Sequence, residues 1–507
     1  MSSAAGNRMI LLWGVVALGL VAAFMVGGAV GESVEAPFAI LSNVFTFALA
    51  LVAFVNPRSG LYIVVFQAMF TDEFKRIAVT LSSASMDLVI TVLMGPLITI
   101  CAIQASIFTK AVVFRSLKVD SSYWYFQGVI AALTLGMVVF GEGEMSSRGQ
   151  FAANLGLYLS LLPVIPVLLP TMKEWRNFIT LQVLLVLPSA MWGIRQYFCG
   201  FTQMEWDYAL TGISKAHYSS MITGGEHPRI FGFLGSAAAF GCMSLYATYA
   251  LWQAFNGKKL RVFHLLAFPI LMTAVVCSTQ RTMMLTPVII VGCYFMMLTP
   301  KRTAVFYSLL VVLLVAGVLS SRYLLDEGLD KFNSMIETDT EWGSTVLKVN
   351  TFADRLKGWE RLGDPDTWSL FGTGASSLEE YQEKGGHDLV NKMLIKVGVA
   401  GLIPVLTFIF VALTLLHRIV LRAPTRALRK EGAFLLACFV PTLVMSIMGG
   451  GNLNTVPINL QIWSMLAGVL IFRKEHQINP WGASDRPVYS RAEGAMSEGF
   501  NHLTAHS

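Results

Sequence analysis

The chain has 507 residues, of which 55% are hydrophobic and 13% are charged, so the composition excludes an ordinary soluble domain and indicates an integral membrane protein. The formal net charge of +6 does not indicate nucleic-acid binding, because in a multi-spanning protein the positions of Lys and Arg matter more than their sum. The six cysteines lie mostly inside apolar runs without metal-type spacing, which is typical of packing residues. A disulfide between Cys199 and Cys277 is an alternative, since both fall near predicted outer membrane edges.

Apolar runs of about twenty residues, the length that a helix needs to cross a bilayer, recur along the chain. The run at 9–30 is too long for a signal-peptide core, so we interpret it as a retained first helix. The run at 60–77 is interrupted by Thr71-Asp72-Glu73 and by Lys75-Arg76, so it either spans the membrane or forms a broken, re-entrant helix. The pattern predicts an all-α polytopic membrane protein with about fourteen transmembrane helices, at 9–30, 36–55, 60–77, 86–108, 124–141, 150–170, 177–198, 230–255, 262–279, 283–299, 303–320, 391–417, 433–450 and 456–472.

Lys and Arg gather in alternate connections between these runs, which the positive-inside rule assigns to the cytoplasm. The remaining connections are poor in Lys and Arg or are long. Both termini are therefore predicted to be cytoplasmic, and the segments 199–229 and 321–390 are predicted to lie outside. The basic connections are at 110–118, 173–176, 258–261, 301–302, 418–430 and 473–474.

Four regions follow from this layout. Residues 1–320 contain helices 1–11, residues 391–472 contain helices 12–14, and 473–507 form a polar tail that we predict to be disordered. Between them, 321–390 is polar and acidic, with seven Lys or Arg against fourteen Asp or Glu. A connection of this length is usually functional or disordered. Its aromatic residues, its Gly-x-Gly turn and its apolar residues at helical spacing favour a folded cap over the membrane body.

Two arginines lie at the predicted outer membrane edge, where the positive-inside rule disfavours them. Arg229 belongs to His227-Pro-Arg-Ile-Phe-Gly, directly before the run at 230–255. Arg281 follows Gln280 in a tight outer turn. Taken singly, each is most simply a membrane-edge anchor whose stem lies along apolar surface. Together they also fit a site for a phosphorylated or anionic ligand, because guanidinium groups bind phosphate oxygens in pairs and stay charged.

The cap carries a third arginine beside an apolar helix face. Phe352, Leu356 and Trp359 recur at helical spacing, and Arg355 lies one turn from Trp359 on the same side. This spacing predicts that Arg355 faces the membrane body. The alternative is an amphipathic helix that rests on the lipid surface, which the acidic character of the cap weakly disfavours.

His387 and Asp388 follow Gly385-Gly386 and precede the run at 391–417. Histidine titrates near neutral pH, so His387 is the candidate for acid–base work. Asp388 is a candidate to orient the imidazole, to act in its place or to cap the following helix. The alternative for His387 is a cap or a spacer at a helix start. No nucleotide-binding, zinc or Gly-x-Ser-x-Gly signature occurs in the sequence, so no metal and no cofactor is predicted.

The ordered set of these motifs resembles the O-antigen ligase and Wzy-type O-antigen polymerase superfamily of membrane glycosyltransferases. The resemblance covers about 229–415 and the polytopic layout. Asp388 stands where members often have Asn, and Gln280 stands where Ser is common. The motifs are His-Pro-Arg-Ile-Phe-Gly ending at Gly232, Ser278-Thr-Gln-Arg281, Arg355-(x)3-Trp359, Gly372-Thr-Gly374 and His387-Asp388-(x)5-Leu394-(x)3-Gly398-(x)2-Gly401.

The resemblance implies a GT-C-type enzyme of the bacterial inner membrane, with its active site on the periplasmic side. The donor would be an undecaprenyl-pyrophosphate-linked oligosaccharide, and the acceptor would be the hydroxyl of a glycan. Arg229 and Arg281 would hold the pyrophosphate with help from Arg355, and His387 would deprotonate or orient the acceptor hydroxyl. The reaction would need no metal and no nucleotide. The supporting residues would be His227, Gln280 and Trp359, beside Asp388.

Three functions are compatible with this pattern. The first is a polysaccharide polymerase of O-antigen or exopolysaccharide synthesis, favoured because the predicted spans outnumber the roughly twelve usual in the ligases. The second is a ligase that transfers the finished glycan to lipid A-core or to a protein. The third is a flippase for lipid-linked oligosaccharide, which should carry ionisable residues or broken helices in mid-membrane. A polymerase would act in the lipid bilayer beside the flippase and the chain-length regulator of its pathway, and it would bind no nucleic acid.

Overall fold

The computed structural model describes residues 35–82, 86–140, 145–210, 230–256, 260–278, 281–298, 368–372, 389–449 and 456–478. Within these ranges the chain is all-helical, and no described residue is in a strand. The predicted first helix at 9–30, the predicted helix at 303–320, most of the cap and the tail from 479 lie outside the described residues.

Most described helices follow the apolar runs closely. The shortest, α9 (Ala237–Phe240), is a single turn. A π-helical turn, Thr109–Val113, directly follows the helix that ends at Phe108. The other helices are α1 (Glu35–Val55), α2 (Pro57–Ser82), α3 (Met86–Phe108), α4 (Ser121–Phe140), α5 (Met145–Leu159), α6 (Leu161–Leu168), α7 (Met172–Cys199), α8 (Gln203–Leu210), α10 (Cys242–Asn256), α11 (Arg261–Cys277), α12 (Arg281–Met297), α13 (Leu389–Leu421), α14 (Arg426–Gly449) and α15 (Ile458–Glu475).

The lengths and the apolar composition of several helices are those of a membrane protein. Among the described helices, five stretches are long and apolar enough to cross a bilayer. Three shorter helical stretches, Val44–Val55, Arg261–Cys277 and Thr286–Met297, are also apolar. The full count of fourteen spans stays a prediction. The five long stretches are Met94–Val113, Ser121–Val139, Phe151–Leu168, Met172–Cys199 and Val397–Leu421.

Three predicted runs differ from the helices that the structure shows. The run at 150–170 is divided between α5 and α6 at Ser160, shortly before Pro163, which lacks an N–H group. The run at 391–417 belongs to α13, whose helical geometry is interrupted at Gly398. The first seven residues of the run at 230–255 are not helical. By contrast, α2 is one continuous helix through the interruption that the sequence suggested at 60–77.

The break at Ser160 is covered by polar side chains from two neighbouring helices. Gln127 of α4 donates from Nε2 to the Ser160 carbonyl at 3.1 Å, and Gln104 of α3 donates to the Ser160 hydroxyl. Backbone groups freed within a bilayer need such partners because lipid offers none. The break is therefore a stable feature of the packed bundle.

Contacts gather several of the basic connections at one end of the bundle, which we name the Arg58 end. Arg58 and Glu174 form an ion pair of 2.8 Å between α2 and α7, and Arg176 of α7 pairs with Glu431 of α14. The Met172 N–H donates to Glu475 of α15 at 2.6 Å. Glu174 and Arg176 belong to the connection at 173–176, and Glu431 and Glu475 directly follow those at 418–430 and 473–474. The charge pattern predicts all three connections to be cytoplasmic.

Candidate functional site

Of the candidate site residues from the sequence, the structure describes only Arg281; for most of the others it describes residues next to them in the chain. Arg281 is the first residue of α12. The described chain resumes at Ile230, one residue after Arg229, and α13 begins at Leu389, one residue after Asp388. His227, Arg229, Gln280, Arg355, Trp359, His387 and Asp388 lie outside the described residues.

The stretch from Ile230 to Ser236 is an irregular turn held by a buried arginine from α2. Arg76 has no exposed surface, and it donates to the Gly232 carbonyl at 2.9 Å and to the Leu234 carbonyl. Its guanidinium also lies 4.5 Å from the centre of the Phe231 ring. Glu73, one turn earlier on α2, accepts from the same guanidinium at 2.7 Å. Arg76 therefore joins α2 to a segment more than 150 residues away.

Side chains of α7 bind the N–H groups of the same turn. Gln196 Oε1 accepts from the N–H groups of Phe231 and Gly232 at 3.1 and 2.9 Å. Ser189 Oγ accepts from the Phe233 N–H at 3.0 Å. A Cβ at Gly232, whose φ is +57°, would lie 2.4 Å from the Ser189 carbonyl oxygen, so only glycine fits there. With both its donors and its acceptors bound, the turn that follows Arg229 is fixed in one conformation.

Glu205 of α8 holds the Gln196 side chain that binds this turn. Its side chain is 1% exposed and accepts from Gln196 Nε2, orienting the amide that holds the turn. It also accepts from Trp192 Nε1 at 2.9 Å and from the Thr202 N–H at 2.6 Å. A buried carboxylate needs several donors of this kind, because burial of an unpaired charge is costly.

These residues form a compact group of ionisable side chains, which we name the outer charge cluster: Asp72, Glu73, Lys75, Arg76, Arg195 and Glu205. Asp72 is 3.7 Å from Lys75, and Arg195 is 4.0 Å from Glu205. Asp72 and Arg76 are 15 and 19 residues beyond Pro57, or about 22 and 28 Å along the axis of α2. The hydrocarbon core of a bilayer is about 30 Å thick. The cluster therefore lies towards the opposite end of α2 from Arg58, the end that the charge pattern predicts to be outside.

A short piece of the predicted cap, Trp368–Gly372, fills the break in α13. The N–H groups of Val399 and Ala400 donate to the carbonyls of Ser369 and Leu370 at 3.1 and 3.0 Å. A Cβ at Gly398, whose φ is +61°, would lie 2.3 Å from the Gly372 nitrogen. The structure thus brings together Gly372 and Gly398, which are 26 residues apart in the sequence.

The alternative of a Cys199–Cys277 disulfide can be compared with the structure. Cys199 and Cys277 are both free thiols, the first exposed and the second buried. Within the described ranges, no group of three or more His, Cys, Asp or Glu side chains is arranged to hold a metal ion.

Sequence reasoning missed the outer charge cluster. Its signal was present, because four ionisable residues fall within five positions of an otherwise apolar run, at 72, 73, 75 and 76. Ionisable residues inside a membrane segment are by default candidates for function. We interpreted them instead as a sign of a weak or broken span.

Comparisons with known proteins found no match: no family model, no curated protein and no solved structure is similar to the chain at a significant level.

Proposed function

We propose that the chain is a membrane glycosyltransferase that polymerises lipid-linked glycan repeat units at the outer face of the bacterial inner membrane. The donor is an undecaprenyl-pyrophosphate-linked oligosaccharide and the acceptor is a sugar hydroxyl. The pyrophosphate lies against Arg229 and Arg281, with Arg355 from the cap, and His387 acts on the acceptor. The observation that carries the proposal is the fixed turn that begins one residue after Arg229.

The fixed turn supports a binding role for Arg229 because the backbone that follows this residue is held in place. Arg76, Gln196 and Ser189 bind five backbone groups of residues 231–234. A membrane-edge anchor needs no such support, since a long cationic side chain reaches the lipid headgroups from many backbone positions. A site for a specific ligand does need it, because affinity improves when the binding residues are held in place beforehand.

The position of Arg281 supports an anion site for a different reason. Arg281 is the first residue of α12, and the N-terminus of a helix carries partial positive charge. A cation is unfavourable there and an anion is favourable, so an arginine at this position opposes the stability of its own helix. Such a local conflict is expected where a residue serves a ligand. A pyrophosphate at the start of α12 would interact favourably with both the arginine and the helix N-terminus.

The chemistry that these residues would perform is a direct displacement at the anomeric carbon. The acceptor hydroxyl attacks that carbon as His387 takes its proton, and the bond from the carbon to the phosphate oxygen breaks. Undecaprenyl pyrophosphate leaves with the extra negative charge, which the arginines stabilise more strongly in the transition state than in the bound donor. Asp388 orients the imidazole, and the product is a glycan longer by one transferred unit.

A flippase for lipid-linked oligosaccharide is the second candidate, and two observations favour it. Helix α13 is broken at Gly398, and α2 carries Asp72, Glu73, Lys75 and Arg76 with most of their side-chain surface buried. Broken helices and buried ionisable residues are common in transporters. These charges are in the C-terminal half of α2 rather than at its middle, which supports chemistry at a surface over transport through the bundle.

Reconstitution of the purified chain into vesicles with a lipid-linked repeat unit tests the proposal. Polymerase activity produces a ladder of lipid-linked products that lengthens with time, and the ladder persists when a chelator is added. A single transfer to an added lipid A-core acceptor identifies a ligase instead. Movement of the lipid across the bilayer without any product identifies a flippase. Either of the last two results overturns the polymerase proposal.

A further inference from the structure

Lys75 and Asp72, two members of the outer charge cluster, have hydrogen-bonding capacity that the described chain does not use. The Lys75 side chain is 9% exposed, its nitrogen is 3.7 Å from Asp72 Oδ1, and it lies 5.7 Å from the centre of the Tyr208 ring. A separation of 3.7 Å is too long for a hydrogen bond. Neither side chain makes a hydrogen bond to any residue in the described ranges, although an ammonium has three donors and a carboxylate accepts about four bonds.

The neighbouring residues Arg76 and Glu205 make the hydrogen bonds that Lys75 and Asp72 lack. Arg76 donates to three acceptors, and Glu205 accepts from the amide of Gln196, the indole of Trp192 and both the N–H and the hydroxyl of Thr202. A charge buried to the extent of Lys75 is costly unless it is hydrogen-bonded. Among the described residues, the polar atoms of Lys75 and Asp72 are not fully buried, so an external polar group can reach them and bind there.

The charge balance of the cluster indicates the chemistry of that group. Three cations, Lys75, Arg76 and Arg195, are matched by three carboxylates, Asp72, Glu73 and Glu205. A phosphate would enter a site without excess positive charge and would lie beside the Asp72 carboxylate, which repels it. A sugar hydroxyl both donates and accepts, so two hydroxyls of a neutral sugar can bind an ammonium and a carboxylate together.

The turn after Arg229 packs closely against Asp72 at Gly235. A Cβ on Gly235 would lie 2.4 Å from Asp72 Oδ2, whereas carbon and oxygen atoms that are not bonded usually stay about 3.3 Å apart or more. Gly235 is six residues from Arg229 along the chain. The proposed function assigns the donor pyrophosphate to Arg229, so the sugar that this donor carries is the candidate ligand of Asp72 and Lys75.

We infer that Lys75 and Asp72 form a subsite for neutral sugar hydroxyls, next to the pyrophosphate of the lipid-linked donor. The inference rests on the proposed function and adds that the donor is recognised through its glycan as well as through its phosphates. Lys75 donates to one sugar hydroxyl, and Asp72 accepts from a neighbouring one.

The test measures binding of two lipids to the full-length chain in nanodiscs. One probe is undecaprenyl pyrophosphate that carries a single repeat unit, and the other is undecaprenyl pyrophosphate without sugar. Lys75→Met and Asp72→Asn are expected to weaken binding of the glycan-bearing lipid by about 10–100-fold, the range for loss of a charge-assisted hydrogen bond. Both variants are expected to leave binding of the bare lipid unchanged, which also shows that they fold.

Two further variants make the result specific. Gly235→Ala is expected to reproduce the effect of Asp72→Asn, because the added methyl group displaces the carboxylate. Lys118→Met, which removes an exposed lysine in a predicted cytoplasmic connection, is expected to bind both lipids as the wild type does. Equal weakening of both lipids by Lys75→Met would assign the lysine to phosphate and overturn the inference. Unchanged binding in Lys75→Met and Asp72→Asn also overturns it, and a wild type that binds neither lipid overturns the proposed function together with the subsite.

Discussion

Removal of the Arg76 side chain should open the turn that follows Arg229 without unfolding the protein. In Arg76→Met, the carboxylate of Glu73 loses its buried partner, and the carbonyls of Gly232 and Leu234 lose their donor. Loss of one partner of a buried ion pair destabilises a protein by about 3–5 kcal/mol. If this loss falls on the turn alone, local opening becomes roughly 100–4,000-fold more frequent, since about 1.4 kcal/mol corresponds to a factor of ten.

Amide hydrogen exchange of peptides that cover 231–236 is the appropriate assay. The N–H groups of Phe231, Gly232 and Phe233 are bound by side chains, so their exchange reports opening of this turn. Faster exchange should be confined to these peptides, while peptides from α3 exchange as in the wild type. Glu73→Gln in the Arg76→Met background removes the unpaired charge and should restore part of the protection, with a coupling energy of about 1–3 kcal/mol.

A matched control lies at the other end of the same helix. Arg58 pairs with Glu174 at 2.8 Å, but its side chain is 47% exposed. Exposed pairs contribute about 0–1 kcal/mol, so Arg58→Met should change exchange and thermal stability little. If exchange at 231–236 is the same in Arg76→Met as in the wild type, Arg76 does not hold the turn. Uniformly faster exchange over the whole chain would show that its role is general stability.

Three more substitutions test one further contact and two of the proposed residue roles. Gly398→Ala places a methyl group against the Gly372 backbone and should release Trp368–Gly372 from α13, which limited proteolysis would detect as new cleavage there; an unchanged cleavage pattern contradicts the contact. Arg281→Ala should abolish glycan products while the protein stays folded and inserted, and a normal product ladder removes the pyrophosphate role. His387→Ala should lower kcat by roughly 10²–10⁴-fold, and wild-type activity at every pH would exclude His387 as the base.

Helices that consist of one apolar run were predictable because hydropathy alone determines them. The run at 86–108 coincides with α3, and 262–279 differs from α11 by one or two residues at each end. The stretch from Ile230 to Ser236 was assigned to a helix for the same reason, although it is an irregular turn. Ile230 and Phe231 are apolar because they are buried against protein, and hydropathy cannot distinguish a buried turn from the start of a span.

The outer charge cluster could not be assembled from the sequence because its contacts are between distant segments. Arg76 binds carbonyls of residues more than 150 positions away, and Gln196 binds N–H groups about 35 positions away. Every residue type has a backbone carbonyl, and all but proline have an N–H group. The sequence therefore does not show which backbone groups a distant side chain will bind. The break in α13 is similar: Gly398 was visible as a motif residue, but its partner segment was not.

The two irregular segments at the ends of these helices have a common physical basis. Backbone that is not helical is tolerated at membrane depth only where protein binds its polar groups. In the turn from Ile230 to Ser236 the donors and acceptors are buried side chains, and in Trp368–Gly372 the donors are N–H groups of a broken helix. Both segments are therefore held in place by the bundle, and the chain continues from each of them. The predicted ligand-binding and acid–base residues, Arg229 and His387, lie one residue before the turn and two residues before α13. If the proposed site is built on these two residues, substitutions at Arg76 or Gly398 should alter activity although neither side chain contacts the substrate.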